Sequence, residues 1–386
     1  MINIKNKSKC CGCGACYNAC PVNAVTMQED EYGFKYPQID KEKCTKCGLC
    51  ERVCPMLRVS EQNKKLPIAY AAYSKNEEIR KQSSSGGIFT LIAEYIIKQG
   101  GVVFGAQFDE EIKVEHAYVD NISDLNKFRG SKYVQSDINE SYKKAKEILQ
   151  ENKKVLFTGT PCQIEGLKSF LNKEYENLYT QDIICHGVPS PLVWKKYKEF
   201  RLDKDKQIPN RISFRNKDTG WKLFNMKFEY SNFSYKKNQN EDLFMKAFLK
   251  NTCLRESCYS CCFKNENKVS DIMLGDYWGI QNIHPEMDDD KGISAVIINS
   301  PKGQVLFDEI KQDLIWKETE YENVKKYNTA LVKPVKKDPN RKMFLKKLDK
   351  LSFDKLVEKY TYKPSFFRKV INKLKYEFSK LNKNNI

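Results

Sequence analysis

Long apolar runs are missing from this chain. Its longest, "SAVII" and "VVFGAQF", fall far short of the roughly 20 residues that a membrane-spanning helix requires. The opening "MINIKNKSKC" has no apolar core of the kind a secretory signal carries. These two absences together give a cytoplasmic expectation. No G-x-G-x-x-G follows a predicted strand, so a nicotinamide-binding Rossmann site is unsupported. Histidine is scarce, with only His116, His186 and His284 present. Acidic residues are in deficit, 50 against 67 Lys plus Arg, which leaves a net charge of +17. The excess is uneven. Residues 331–386 hold 17 Lys plus Arg against 5 Asp plus Glu, about +12 of the total. The rest is only mildly basic, so no nucleic-acid partner is expected.

What the chain does have begins with size. Its 386 residues suffice for two or three domains with their own cores, and 40% hydrophobic with 12% aromatic residues is ordinary for a globular protein. Fifteen cysteines in a reducing compartment, clustered with short spacers, point to metal or cluster ligation instead of disulfides.

Two runs match the spacing of a two-cluster bacterial ferredoxin: Cys10-x2-Cys13-x2-Cys16-x3-Cys20-Pro21 and Cys44-x2-Cys47-x2-Cys50-x3-Cys54-Pro55. In that pattern the fourth cysteine of each run crosses to the other cluster. Cys10, Cys13, Cys16 and Cys54 should therefore hold one [4Fe–4S] cluster and Cys44, Cys47, Cys50 and Cys20 the second, with Cys11 left over. A pair of zinc sites is the competing reading, but zinc does not need the third cysteine and the Cys-Pro ending, twice over. The stretch between the runs, "AVTMQEDEYGFKYPQID", reads as strands joined by a turn at Gly33. Such a module is too small to be stable by itself, so its clusters would supply much of its folding energy.

Beyond the polar linker "SEQNKKLP" the pattern alternates between strands and helices. It predicts a helix from about Ile88 to Lys98, strands at "VVFGAQF" and "VEHAYV", a helix at "SYKKAKEILQEN", a strand at "KVLFTG", a helix at "PCQIEGLKSFL" and a strand at "LYTQDIIC". That alternation argues for an α/β layer architecture. Cys162 then lies in the first turn of a helix, where the dipole and free N–H groups favour a thiolate. A right-handed crossover would bring Cys185 to the same sheet edge. With Cys258-x2-Cys261 these make four thiolates, enough for a third [4Fe–4S] cluster. The alternative set is Cys253-x4-Cys258-x2-Cys261 with one of the upstream pair. A buried inert thiol is the competing reading for Cys162 or Cys185 taken singly.

The motifs "SSSGGIFT" (83–90), "RGSKYVQSD" (129–137), "FTGTPCQIEGL" (157–167), "CHGVPSP" (185–191) and "CYSCCFKNENKVSDIMLGDYWG" (258–279) resemble, in order, the coenzyme F420 hydrogenase/dehydrogenase beta-subunit family. With the ferredoxin module the resemblance covers residues 10 to about 280. It implies FAD, held by Ser85, Gly86 and Gly87, by Gly130, Ser131, Lys132 and Tyr133, and by Thr158, Gly159 and Thr160. It also implies a cubane near the flavin on Cys162, Cys185, Cys258 and Cys261. The glycines would let backbone approach a phosphate or ring edge, and helix starts after Ser85 and Gly159 offer N–H groups to a pyrophosphate. Lys132 is a candidate catalytic residue, a fixed positive charge favouring a reduced anionic ring. His186 is the other, placed beside Cys185 to donate a proton or a hydrogen bond to the cluster. Their plain readings are a solvated surface lysine and a structural histidine. Asp276 is either a turn former or a contact to the cofactor loop.

The expected architecture is an α+β ferredoxin-like dicluster module (1–59) followed by an α/β flavin- and iron–sulfur-binding body, its N-terminal part at 66–150 and its C-terminal part, with the third cluster, at 151–320. A basic tail follows at 321–386. In it Phe367, Val370, Ile371, Leu374, Phe378 and Leu381 recur at helical spacing, so it would dock on the body, on an acidic partner or, peripherally, on an anionic membrane. The expected activity is an oxidoreductase passing electrons between the clusters and FAD. Its partners would be ferredoxin or another redox protein and a small-molecule substrate or the deazaflavin coenzyme F420. A non-catalytic electron-input subunit on a larger oxidoreductase is the alternative. Other members of the family act on F420, on a chlorophyll-type substrate with ferredoxin, or in surface-polysaccharide synthesis.

Overall fold

A computed structural model describes residues 1–57 and 67–361. The linker and the helical-period tail from Phe367 onward lie outside the described residues.

The first module is built on strands β1 (Val25–Glu29) and β2 (Lys35–Ile39), paired antiparallel from Val25↔Ile39 to Glu29↔Lys35. Their turn is held by Asp30, whose carboxylate accepts from Tyr32 N at 2.9 Å and Phe34 N at 3.0 Å, while Gly33 takes φ +77°. Short helices α1 (Ala15–Asn18) and α2 (Leu49–Arg52) each start from a left-handed glycine, Gly14 at φ 74° and Gly48 at φ 75°. Each glycine lies between the second and third cysteine of its run, so both runs turn the same way.

The body is one eight-stranded sheet. In chain order its elements are β3 (Ile68–Ser74), α3 (Glu77–Gln82), α4 (Ile88–Lys98), β4 (Val102–Phe108), β5 (Val114–Val119), α5 (Ser141–Gln150), β6 (Val155–Gly159), α6 (Pro161–Leu171), β7 (Leu178–Ile183) and α7 (Pro191–Asp205). After an inserted small sheet, β8 (Arg211–Asn216), β9 (Asn225–Glu229) and β10 (Ser234–Asn238), come α8 (Leu243–Leu249), β11 (Ile272–Asp276), β12 (Ser294–Ile298), α9 (Pro301–Ile310), β13 (Leu314–Thr319), α10 (Tyr321–Tyr327), α11 (Arg341–Lys346) and α12 (Phe353–Thr361). The large sheet runs β13-β3-β12-β11-β7-β6-β4-β5. Its centre, β4 to β6 to β7 to β11, is parallel, and its flanks are antiparallel.

Side chains alternate across this sheet with the period of two that a strand imposes. Val103 and Leu156 face α4 and α9, where Ile88, Ile92, Ile96, Leu306 and Phe307 cover them. Phe104, Val155 and Phe157 face α5 and α6, against Tyr142, Ile148, Ile164 and Leu167. Each fully buried large apolar side chain contributes about 1.5–3 kcal/mol of transfer free energy. The small sheet was not foreseen. Between it and α7, α8, α11 and α12 lies a core rich in aromatics, including Trp194, Tyr197, Phe214, Phe228, Phe244 and Phe353.

The tail boundary also differs from expectation. Tyr321 and Val324 of α10, and Phe344, Leu345, Phe353, Leu356 and Val357 of α11 and α12, are buried members of the body's cores, so residues 321–361 pack as part of the body. Among the described residues no helix is long and apolar enough to cross a membrane.

Candidate iron–sulfur and cofactor site

The crossover places the central cysteines. Pro161 opens α6 directly after β6, and the Gln163 side chain accepts the Thr160 N–H at 2.9 Å, which caps the helix and fixes Cys162 in its first turn. The parallel neighbour β7 ends at Ile183, so Cys185 stands two residues beyond the strand, at the same sheet edge. The segment that follows is tied to the later cysteines, because Ser190 N donates to Cys253 O at 2.9 Å and Arg255 N to Val188 O at 2.9 Å. A short turn at Glu256–Ser260 then brings Cys258 beneath Val188, whose N–H reaches its sulfur at 3.5 Å.

Cys162, Cys185, Cys258 and Cys261 all line one pocket. Cys11 lines it too. Burial raises the Cys185 thiol well above its usual range and pushes Cys258 up to about 11 and Cys261 to about 12. Cys162 is also raised, first by its hydrogen bond with Cys11 and then by burial. Such thiols stay protonated until a metal takes the proton's place. Lys264 and Lys268 stand on the same wall, and their charge offsets that of thiolates. Cys253 is fully buried in the aromatic core and is not among the lining residues, so the geometry groups Cys258 and Cys261 with Cys162 and Cys185 instead. Cys262 is exposed, 3.7 Å from the Met56 sulfur.

Of the ferredoxin cysteines, Cys20, Cys44, Cys47 and Cys50 line a second pocket, the four expected of one crossed set. Cys10, Cys13, Cys16 and Cys54 are buried, and Cys16 and Cys54 share a cluster with Cys50 and Cys20. Among the described residues no three His, Cys, Asp or Glu side chains close round a single metal ion.

Hydrogen bonds link the motifs that carry the expected flavin residues. Ser131 N donates to Ser84 Oγ at 2.7 Å, and Gln163 Nε2 donates to Ser136 Oγ at 2.9 Å, so "SSSGGIFT", "RGSKYVQSD" and "FTGTPCQIEGL" are neighbours. The glycines divide. A Cβ on Gly130, at φ +86°, would meet nothing within 4 Å, so open space lies beside it. A Cβ on Gly86 would come within 2.4 Å of Ala72 O, and one on Gly159 within 3.1 Å of Gln163 Oε1, so packing within the protein already accounts for both. Gly87 is the left-handed start of α4. Thr158 Oγ1 donates to Phe104 O at 2.8 Å. Ser85 Oγ donates to Ile293 O at 2.8 Å, and Tyr133 stacks on Phe248 at 4.7 Å.

Burial lowers the Lys132 pKa to about 7, and the acceptors of its ammonium are the carbonyls of Gly130 at 3.3 Å and Arg129 at 3.5 Å. His186 turns away from the cavity. Its Nε2 pairs with Asn251 Oδ1 at 2.7 Å, and burial lowers its pKa. Asp276 accepts from Arg215 Nη1 at 2.6 Å and from Trp221 Nε1 at 3.0 Å.

Four residues of this neighbourhood escaped the sequence reading. Arg215 reaches Tyr133 OH at 3.2 Å, and Lys217 holds Ser85 O at 2.9 Å, both from the segment "FRNKDTGW". Arg255 is fully buried. Its Nη2 lies 3.5 Å from Cys10 Sγ, and its Nε donates to Cys10 O at 2.9 Å. His116, also buried, holds Thr158 O at 3.0 Å. No local pattern marked their roles, since each is identified by the group it holds.

Comparison with known proteins agrees with this arrangement. Residues 9–57 match the 4Fe-4S dicluster domain. Residues 69–143 match the N-terminal model of the coenzyme F420 hydrogenase/dehydrogenase beta subunit, and residues 152–324 match its C-terminal model. A curated relative, the coenzyme F420-dependent sulfite reductase of Methanocaldococcus jannaschii, is 26% identical over 355 residues, which is 88% of this chain and 51% of the relative. The chain thus spans about half the length of that relative. A solved structure, the F420-reducing [NiFe] hydrogenase complex of Methanosarcina barkeri in xenon-derivatised form, aligns over 75% of this chain and 95% of its own, at 18% identity and a TM-score of 0.49. With the two halves of one subunit matched in order behind a dicluster module, the chain belongs to the coenzyme F420 hydrogenase/dehydrogenase beta-subunit family, in a form with an N-terminal 4Fe–4S dicluster domain.

Proposed function

We propose that the chain is an iron–sulfur flavoprotein oxidoreductase, passing electrons between ferredoxin-type [4Fe–4S] clusters and FAD, with coenzyme F420 or a small organic or polysaccharide-precursor substrate as redox partner. The observation that carries this reading is the convergence of Cys162, Cys185, Cys258 and Cys261 on one cavity that a residue of the ferredoxin module also lines. When bound, cubanes exchange single electrons and a flavin exchanges pairs with an organic partner.

The residues divide that work. Cys47 is exposed and its set lies at the outer cavity, where ferredoxin or another redox protein can approach. Cys10, Cys13, Cys16 and Cys54 are interior, against the body. Lys264 and Lys268 offset thiolate charge at the cavity, and Lys132 supplies a cation with room beside Gly130 for the flavin. Lys132 is the candidate for favouring a reduced anionic ring. His186, paired with Asn251, acts through the loop that carries Cys185.

The test is anaerobic purification followed by iron, sulfide and flavin analysis. About twelve iron atoms per chain with bound flavin are expected, and about eight with none would overturn the reading. One observation favours the second reading, an electron-input unit on a larger oxidoreductase: the curated relative is about twice as long as the matched region and is named for sulfite reduction. Turnover of F420 by the purified chain with artificial electron donors separates the two.

A further inference from the structure

Cys11 has no place in the ferredoxin pattern, yet it is not a stray thiol. It is 7% exposed and lines the pocket shared by Cys162, Cys185, Cys258 and Cys261. Its side chain also belongs to one buried cluster with Cys13, against which Cys162 packs. Cys13 belongs to the inner ferredoxin set and Cys162 to the pocket set. One buried cluster therefore brings Cys11 together with a cysteine of each.

The surrounding structure holds this contact in place. On α6, one turn beyond Cys162, a Cβ on Gly166 would come within 2.8 Å of Cys13 Cβ and 3.0 Å of its sulfur, so the close approach requires glycine there. The cysteine loop is pinned from the body by Gln135 Nε2 to Cys11 O at 3.2 Å and by Arg255 Nε to Cys10 O at 2.9 Å. Gly12, at φ +73°, has no room for a Cβ against Arg255 Nη1, which would lie 2.7 Å away. A thiol that merely filled space would need none of these constraints.

We propose that Cys11 is the junction thiol between the ferredoxin module and the body, an inference that rests on the cavity cysteines holding a third cluster. Its S–H donates to one of the two ligand sulfurs while its own sulfur abuts the other, and through that contact one electron passes between the Cys13 side and the Cys162 side. One side is oxidised by one electron and the other reduced by one. The Cys11 S–H bond is neither made nor broken. The electron is supplied or accepted by a one-electron protein of the ferredoxin class at the outer set.

The experiment uses the anaerobically purified full chain, with Cys11→Ala and Cys11→Ser, in redox titrations followed by electron paramagnetic resonance. Hydrogen bonds to cluster sulfurs help set reduction potentials. Removing this weak donor should lower the potential of one of the two centres, by about fivefold in its reduction equilibrium constant, with the iron count unchanged. The spin–spin interaction between the two reduced centres should weaken as well. Cys11→Ser, which keeps a donor, should retain most of the wild-type potential. Wild-type iron near eight atoms would remove the third cluster and the proposal with it. Iron near twelve with unchanged potentials and spectra in Cys11→Ala would overturn the junction alone, as would loss of about four iron atoms, which would make Cys11 a ligand.

Discussion

Arg255 shows how one side chain can set an electronic property. The guanidinium is buried, stacks on Tyr36 at 4.3 Å, donates to Lys35 O at 2.9 Å and lies 3.5 Å from Cys10 Sγ. A fixed positive charge there favours the electron-rich state of anything Cys10 binds. Arg255→Gln should lower the potential of the inner ferredoxin centre, since a hydrogen bond to a charged group is worth about 1.5–3 kcal/mol, tenfold or more in equilibrium. Arg255→Lys keeps the charge but loses the fork, so its effect should fall on stability more than on potential. Redox titration of both variants, with melting curves alongside, checks the split. Lys132 makes a pH-dependent prediction. Its folded pKa is depressed to about 7, so in the ligand-free protein its charged form is disfavoured, and stability rises with pH from about 7 toward the unfolded value. An anion bound beside it raises that pKa and takes up a proton. Affinity for FAD at the proposed site should therefore fall above pH 7, by up to about tenfold per pH unit, and Lys132→Gln should flatten the profile. Equilibrium binding of FAD to apoprotein between pH 6.5 and 9 measures both.

At the scale of elements, legibility followed period and punctuation. The helix at Ile88–Lys98, the helix opened by Pro161 and the parallel pair β6 and β7 were all readable, because apolar spacing, a proline at the first helical position and crossover handedness are local or near-local rules. Those same rules carried Cys162 and Cys185 to one edge. The small sheet β8–β10 was not read. Its strands carry "RISFRN" and "SYKKN", whose cations obscure alternation, and part of its burial comes from α11 and α12, distant in sequence. Arg255 and the pairing of Arg215 with Asp276 were invisible for the same reason, since a buried cation is known by its partners. The end of the body was also misjudged, because the basic composition of residues 331–386 masked the apolar face of α12. That face supports a clear test. Leu356 is fully buried among the aromatics of the inserted core, and Leu356→Ala should cost about 2–5 kcal/mol by leaving a cavity. A denaturant titration of the holoprotein would show it, with cluster absorbance retained in the folded fraction.

For the whole molecule, the question is what joins a small cysteine module to a large sheet. The module has little core of its own: Ile2, Phe34 and Tyr36 are its few large buried side chains, and most of its other buried apolar residues are cysteines. It packs Cys11, Cys13, Ala15 and Val53 into the body's core beside α5 and α6, and polar contacts fix the register. Lys35 pairs with Asp137, Asn18 donates to Asn139 O at 2.9 Å, and Arg255 and Gln135 grip the first cysteine loop. The body, by contrast, covers both faces of its sheet, and two of its cores contain no cysteine at all. The two parts should therefore respond differently to loss of iron. Chelation under reducing conditions removes the folding energy that the clusters contribute to a module of under 60 residues, while the body keeps its hydrophobic burial. Limited proteolysis of the iron-stripped chain should cut first within residues 1–57 and leave a fragment that begins near β3, with much of the helical circular dichroism preserved. If the stripped chain instead loses its structure in one cooperative step, the cysteine loop and the cavity are a single folding unit. The junction at Cys11 and Arg255 would then hold the molecule together as well as wire it.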